Sequence, residues 1–331
     1  MLSGKHIKLN LAIIAVLCTF SYTASGQQLP VYSQYMMNKF LINPAVAGSE
    51  GYTAFNLTTR KQWIGVREAP LTFAATAQTR VLKNSFILRK NRVKTTSSTA
   101  STQSPVGLGA YIFDDRNGLV GRPGLQLTYA YHIPLEQDRQ LSFGLSGTIW
   151  QFRIRKEDAR LLDPDDELFN SMDNGMLIPD ANVGVYYSDD RMYAGFSADQ
   201  LFQSSLKFGG KGFDEYKLHR HFYLTGAYRF LVSQYVMLEP SALLKTTQQL
   251  AFQMDLTAKA FFYEDYWAGV SYRTGNVVIL MGGIRVDKFF FGYAVDLTFS
   301  NVRTHSYGTH EIMIAMKLGD NARRYRWLHR Y

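Results

Sequence analysis

Residues 289–300 read FFFGYAVDLTFS, and this stretch decides the fold. As an extended chain it sets Phe289, Phe291, Tyr293, Val295, Leu297 and Phe299 on one side. Phe290, Gly292, Ala294, Asp296, Thr298 and Ser300 fall on the other, because side chains alternate across a strand. The first face is wholly apolar and carries aromatic rings toward both ends. The second turns small and polar. A soluble sheet would bury the apolar face in a core. A transmembrane barrel turns it to lipid and places aromatic residues at the two water interfaces.

The same alternation recurs outward along the chain. Leu125, Leu127, Tyr129, Tyr131 and Ile133 oppose Gln126, Thr128, Ala130 and His132. Phe252, Met254, Leu256 and Ala258 oppose Gln253, Asp255, Thr257 and Lys259. Segment 141–154 has Ser142, Gly144 and Ser146 on its small face. Further segments at 52–60, 71–81, 106–113, 183–187, 192–198, 222–230, 236–245, 266–273, 277–285 and 310–318 complete the predicted set. The count is about fourteen, an even number, as single-chain outer-membrane barrels have. The polar faces gather His132, Arg229, Glu239, Lys245, Asp255, Lys259, Arg273, Asp296, Glu311 and Lys317. Both signs of charge suit a wet lumen or one cross-linked by ion pairs. The apolar faces lack charge over most of these strands, as they must if a lipid-facing Lys or Arg at mid-depth costs about 2–4 kcal/mol. The predicted fold is all-β, an antiparallel transmembrane β-barrel of about 14 strands in the outer membrane. A soluble sandwich is the competing reading.

Parity adds detail. With a periplasmic N-terminus, alternate connections are external and should be longer. The connections at 155–180 and 201–220 are predicted external, and those at 188–190, 263–265 and 287–288 are tight and periplasmic. Segment 82–104 breaks this pattern. It is long, with Lys83, Arg89, Lys90, Arg92 and Lys94 followed by a Ser/Thr-rich run, and reads as a solvated linker or a docking loop.

The N-terminus carries Lys5, His6 and Lys8, then an apolar run over 9–20, then Ala24-Ser25-Gly26 before Gln27. That pattern is a cleaved secretory signal, and the run is too short to be a spanning helix. A lipoprotein anchor at Cys18 is disfavoured by the bulky Leu17 before it. Cys18 is the single cysteine of the 331-residue chain, so the mature protein has none and no disulfide framework. The formal charge of +9 favours anionic partners such as phosphate-bearing lipid. No nucleic-acid module accompanies it. The expected organisation is a signal peptide at 1–26, an N-terminal periplasmic segment at 27–50, the barrel at 51–319 and a basic tail at 320–331.

Segment 27–50 lacks period two. Its Gln34, Tyr35, Asn38, Asn43 and Pro44 make it the leading interaction candidate. It would plug the periplasmic mouth or bind a partner, or else latch the first strand. Asn43-Pro44 and Gly48 mark turns. Trp63 and Tyr52 have the amphipathic rings that favour headgroup depth. In the tail, Arg323, Arg324, Arg326 and Arg330 alternate with aromatic residues, which suits phosphate headgroups, an acidic partner or a disordered end. The acidic run at 161–169 lacks the glycine spacing of a calcium loop, and GGKG at 209–212 lacks the length and hydroxyl of a phosphate loop. His219 with His221, and His305 with His310, are not at metal spacing, and no catalytic cluster or cofactor motif stands out.

SQYMMNKFLINPAVAG at 33–48 resembles the opening of the PorP/SprF family of outer-membrane proteins of type IX secretion and gliding motility. Trp63, Gly65, Ala69 and Pro70 are similar to the family's W-x-G-x-x-x-A-P signature. The resemblance resumes at 194–202, 228–245, 266–286, 290–300 and 308–312, in the expected order. Asp199-Gln200 stands where the family has a His-Leu-like pair, and the tail extends past its usual end. The resemblance implies a non-enzymatic barrel without cofactors that supports export or surface anchoring of cargo or an adhesin bearing a type IX sorting domain. It implies periplasmic ring partners like PorK and PorN, with Gln34, Tyr35, Asn38, Asn43, Pro44, Trp63, Gly65, Pro70 and the tail arginines as contact candidates. A general porin or transport channel is the alternative.

Overall fold

The computed structural model describes residues 31–82, 103–135, 139–155, 175–203, 205–206, 216–249, 251–263, 265–299 and 306–319. Two short 3-10 turns, η1 (Lys39–Leu41) and η2 (Pro44–Val46), precede the strands. The strands are β1 (Thr53–Lys61), β2 (Leu71–Leu82), β3 (Gln103–Asn117), β4 (Val120–Pro134), β5 (Gln140–Ile154), β6 (Met176–Ser188) and β7 (Met192–Asp199). After a two-residue ribbon of β8 (Ser205–Leu206) and β9 (Tyr216–Lys217) come β10 (His221–Tyr228), β11 (Phe230–Ser233) and β12 (Val236–Thr247). The chain ends with β13 (Phe252–Phe262), β14 (Tyr266–Arg273), β15 (Val277–Val286), β16 (Phe289–Thr298) and β17 (Thr309–Leu318).

Every barrel strand pairs antiparallel with its sequence neighbours, and β11 prolongs β10 along β12. Two pairings close the ring. β10 meets β12 from His221↔Thr247 to Ala227↔Ser241, and β1 meets β17 from Thr53↔Leu318 to Lys61↔His310. The result is a closed 14-strand up-and-down antiparallel barrel with no free sheet edge.

The alternation read from the sequence fixes which face points where. On β16, Phe289, Phe291, Tyr293 and Leu297 are exposed on the outside, while Phe290, Ala294 and Asp296 are buried inside. On β4, Leu127 is 60 % exposed whereas His132 is fully buried. The outer surface carries aliphatic residues at mid-height, such as Leu57, Leu127, Leu145, Leu224 and Leu280. Aromatic residues flank them, with Phe55, Phe143, Tyr228, Phe262 and Tyr266 toward one end and Phe73, Phe252 and Tyr272 toward the other. An apolar band between aromatic girdles is the surface of a barrel solvated by lipid.

The structure differs from the sequence expectation at several strand ends; β6 begins at Met176, seven residues before the predicted 183–187 and inside the predicted connection 155–180. β3 and β4 run on to a tight turn at 118–119, well past the predicted 106–113 and 125–133. Their outer ends are rich in Asp, Arg, Gly and Pro, and read as a loop. They extend as a paired ribbon with an Arg122–Asp115 ion pair (2.5 Å) across it and an Arg116–Asp114 pair (2.7 Å) along β3. Tight turns at 118–119, 248–251 and 274–276 also share the end predicted to carry long connections. The last of these uses Asn276 in the left-handed region (φ 60°), which Asn tolerates and a hairpin requires. The end holding 62–70 is called the loop end below, and that holding 189–191 the turn end. Segments 1–30, 83–102, 156–174 and 320–331, including the predicted signal, the basic insertion and the acidic run, lie outside the described residues.

Leu256 sits at mid-height on the outer face, 47 % exposed. Leu256→Arg is expected to weaken insertion by about 2–4 kcal/mol. Urea titration of folding into lipid vesicles, read by heat-modifiable migration on gels, checks this; an unchanged midpoint would mean that lipid does not touch this face.

Candidate functional site

The sequence reading placed segment 27–50 before the first strand, as a plug of the periplasmic mouth, a partner site or a latch on that strand. In the structure residues 32–48 lie inside it. Tyr35 and Phe40 are each 1 % exposed, and Ala45 and Ala47 are fully buried. They pack with Ala74, Tyr111, Tyr186, Tyr223, Trp267 and Met281 of the inner wall into one apolar core. The physical cause is the composition that obscured any period. Aromatic and Met side chains supply area to bury, and the NPAVA stretch is small enough to lie flat against strands.

The local turns follow from the same letters. Asn43 is extended (φ −146°), as the residue before a proline must be, and its side chain accepts from the Ala45 N–H at 2.9 Å. It caps η2, with Pro44 at the first turn position. The Asn43 Nδ2 donates to the Val185 carbonyl at 3.0 Å and the Phe196 carbonyl at 3.3 Å. This approach needs glycine on the wall. A Cβ on Gly184 would lie 2.1 Å from Asn43 Oδ1, and one on Gly144 would lie 2.2 Å from the Ala45 nitrogen.

Ionic bonds hold the segment near the loop end. Glu311 of β17 accepts from the backbone N–H of Ser33 at 2.7 Å and of Gln34 at 2.8 Å. The Ser33 hydroxyl donates to Asp296 at 2.7 Å and accepts from Arg60 Nη1 at 2.7 Å. Arg60 pairs with Asp296 at 2.7 Å and with Glu311 at 3.3 Å. Arg273 pairs with Asp255 at 2.8 Å and reaches Asp296 at 3.3 Å. All five charged side chains are at most 8 % exposed. β1, β13, β14, β16 and β17 are thus joined through one buried lattice, and the incoming chain completes it.

Lower down, Asn38 donates to Thr76 at 3.0 Å, the Ala47 carbonyl bonds His132 at 2.9 Å, and the Ile42 carbonyl accepts from Ser197 at 2.5 Å. Lys259 pairs with Glu239 at 2.9 Å and touches Met37 at 3.6 Å, while Arg229 binds the other Glu239 oxygen at 2.8 Å. At the turn end Glu50 meets Lys39 at 3.5 Å and Lys317 at 4.0 Å. The segment therefore descends from the loop-end third of the lumen to the turn end, bonded to walls on several sides.

Gln34, Tyr35, Asn38, Asn43 and Pro44 are all brought together in this plug and are buried. Trp63, Gly65 and Pro70 sit apart from them, in the β1–β2 connection at the loop end. There Ile64 N–H donates to the Gly308 carbonyl at 2.9 Å and Trp63 N–H to Thr309 at 3.2 Å. Tyr52 lies at the opposite rim, its ring 5.0 Å from the Lys317 ammonium. Arg323, Arg324 and Arg326 lie outside the described residues. Sequence reading missed Arg60, although it follows Ala54, Asn56 and Thr58 at inward parity, so alternation carried the signal. It also did not single out Ser33, which opens the 33–48 motif but has no period to give it a face.

Removing one member of a buried ion network costs about 3–5 kcal/mol because its partners stay charged and buried. Arg60→Met is expected to lower stability by about that amount and to expose segment 31–50 to protease in the folded barrel. Urea midpoints and limited proteolysis with N-terminal sequencing measure both effects.

Comparison with solved structures finds barrels. The Ralstonia pickettii toluene transporter TbuX aligns at TM-score 0.45 and 10% identity over 88% of this chain and 95% of that one. The TodX deltaS2S3 mutant, a monoaromatic hydrocarbon channel, aligns at TM-score 0.43 and 8% identity over 84% and 92%. A mutant of the Rh. blastica porin aligns at TM-score 0.31 and 7% identity over 81% and 98%. No curated protein matches significantly. The family model described as type IX secretion system membrane protein PorP/SprF matches residues 24–316, which span the plug and nearly all of the barrel. The chain belongs to the PorP/SprF family of type IX secretion system membrane proteins.

Proposed function

We propose that this barrel is a non-enzymatic component of the type IX secretion and gliding machinery that acts by binding. Connections at the loop end face the cell exterior and hold or guide an exported cargo or adhesin with a sorting domain. Turn-end segments and the basic tail face the periplasm and join ring proteins of the PorK/PorN kind. The signal at 1–26 is removed on export. Family membership supports the machine. The plug is the observation that carries the binding mode, because residues 32–48 occupy lumen that a diffusive pore would leave to water. The many bonds between plug and wall favour a rigid body that presents its two rims over an open conduit.

A general porin is the alternative, and two measurements separate them. The purified barrel in planar bilayers is expected to show no steady conductance, and a deletion strain is expected to lose sorting-domain proteins from its surface or medium. Mild detergent extraction should recover the barrel with secretion-machine proteins. Steady channels together with intact export would establish the porin reading instead.

A further inference from the structure

Between the plug and the loop end lies a cavity of about 90 Å³. Tyr32, Leu41 and Ile42 of the plug form one side, and Tyr111, Trp150 and Tyr223 stand on the wall. Trp150 also belongs to an apolar cluster with Phe152, Ile178 and Leu218 toward the loop end.

Much of the polar lining is already satisfied. Asp115 accepts from Thr72 at 2.7 Å and pairs with Arg122. Gln126 accepts from Asn182 at 2.9 Å and Thr148 at 3.2 Å, and donates to Ser146 at 3.2 Å. Three groups stand apart. Asp180 is 4 % exposed; its Oδ1 accepts from the N–H groups of Ala181 (2.7 Å) and Phe202 (3.1 Å), but its Oδ2 has no partner among the described residues. The carboxylate of half-buried Asp199 makes no hydrogen bond or ion pair among the described residues, though it lies in the field of the Lys245 ammonium, and the hydroxyl of Tyr223, a residue 6 % exposed, makes none either. Lys245 stands by Tyr223, its ammonium 5.8 Å from the ring centre, but does not line the cavity.

We propose that this cavity binds a small organic cation, a primary ammonium or guanidinium group on a short carbon chain. The buried Asp180 oxygen needs a donor and the half-buried Asp199 carboxylate offers a second acceptor, and a cation supplies both the hydrogens and the opposite charge. The unfilled acceptors of Asp180 and Asp199 would take its N–H groups. The aromatic rings of Tyr111, Trp150 and Tyr223 suit a cation and its chain, through quadrupole attraction and apolar contact. Leu41, Ile42 and Phe113 offer the chain an apolar bed. A metal ion fits less well, since among the described residues no three His, Cys, Asp or Glu side chains converge on one point. A neutral sugar would bring hydroxyls but no positive charge to add to Lys245 near Asp199 and Arg220 near Asp180.

Calorimetry on the folded, full mature barrel in detergent tests this, with agmatine and cadaverine as probes and 1,5-pentanediol and glucose as neutral controls. Saturable binding of at least one amine is expected, with the diol at least about a hundredfold weaker. Asp199→Asn and Tyr223→Phe, each checked for folding by heat-modifiable migration, should weaken amine binding by about tenfold or more. Neither removes a bond that holds the plug. Absence of amine binding up to about 10 mM, equal affinity for the diol, binding of glucose alone, or an affinity that Asp199→Asn leaves unchanged would each overturn the proposal.

Discussion

The structure depends on five charges that cannot leave the lumen. Arg60, Arg273, Asp255, Asp296 and Glu311 come from five strands and are buried where water is scarce. Isolated, each would carry a large desolvation penalty, and pairing alone seldom repays it without further hydrogen bonds. The Ser33 hydroxyl and the N–H groups of Ser33 and Gln34 supply those bonds. Wall and plug are therefore one electrostatic object: the strands position the acids, and the plug completes their coordination.

That coupling explains why so polar a lumen packs like a core. The upper plug is fixed by charge, and the lower plug by fit. Small residues of NPAVA press against glycine-bearing strands, and large ones fill the space between Tyr111, Tyr186, Trp267 and Met281. The outside obeys a different solvent. Its aliphatic band and aromatic girdles would be aggregation-prone in water and are at rest in lipid. The two faces of each strand thus answer to two media, which is why alternation is so strict in this chain.

A plug bonded around the lumen ties strands on several sides of the wall to one another. The cavity above the plug is a part of the lumen that packing leaves unfilled among the described residues, and its lining includes Asp180, whose Oδ2 has no partner among them.

Period two along the chain was enough to name the strands, their number, their outward faces and most of the inward charges, because a side chain's face depends only on its parity within its own strand. FFFGYAVDLTFS alone revealed both solvents. Where strands run past the membrane, as in β3 and β4, lipid no longer enforces apolar residues and the signal fades. Segment 33–48 was visible as a motif, but its seat inside the lumen was not, because it has no period and its partners are 27 to 278 residues away in sequence. Only closure of the ring brings Glu311, Asp296 and Arg60 around Ser33, and only that closure makes a cavity between Tyr32 and Tyr223.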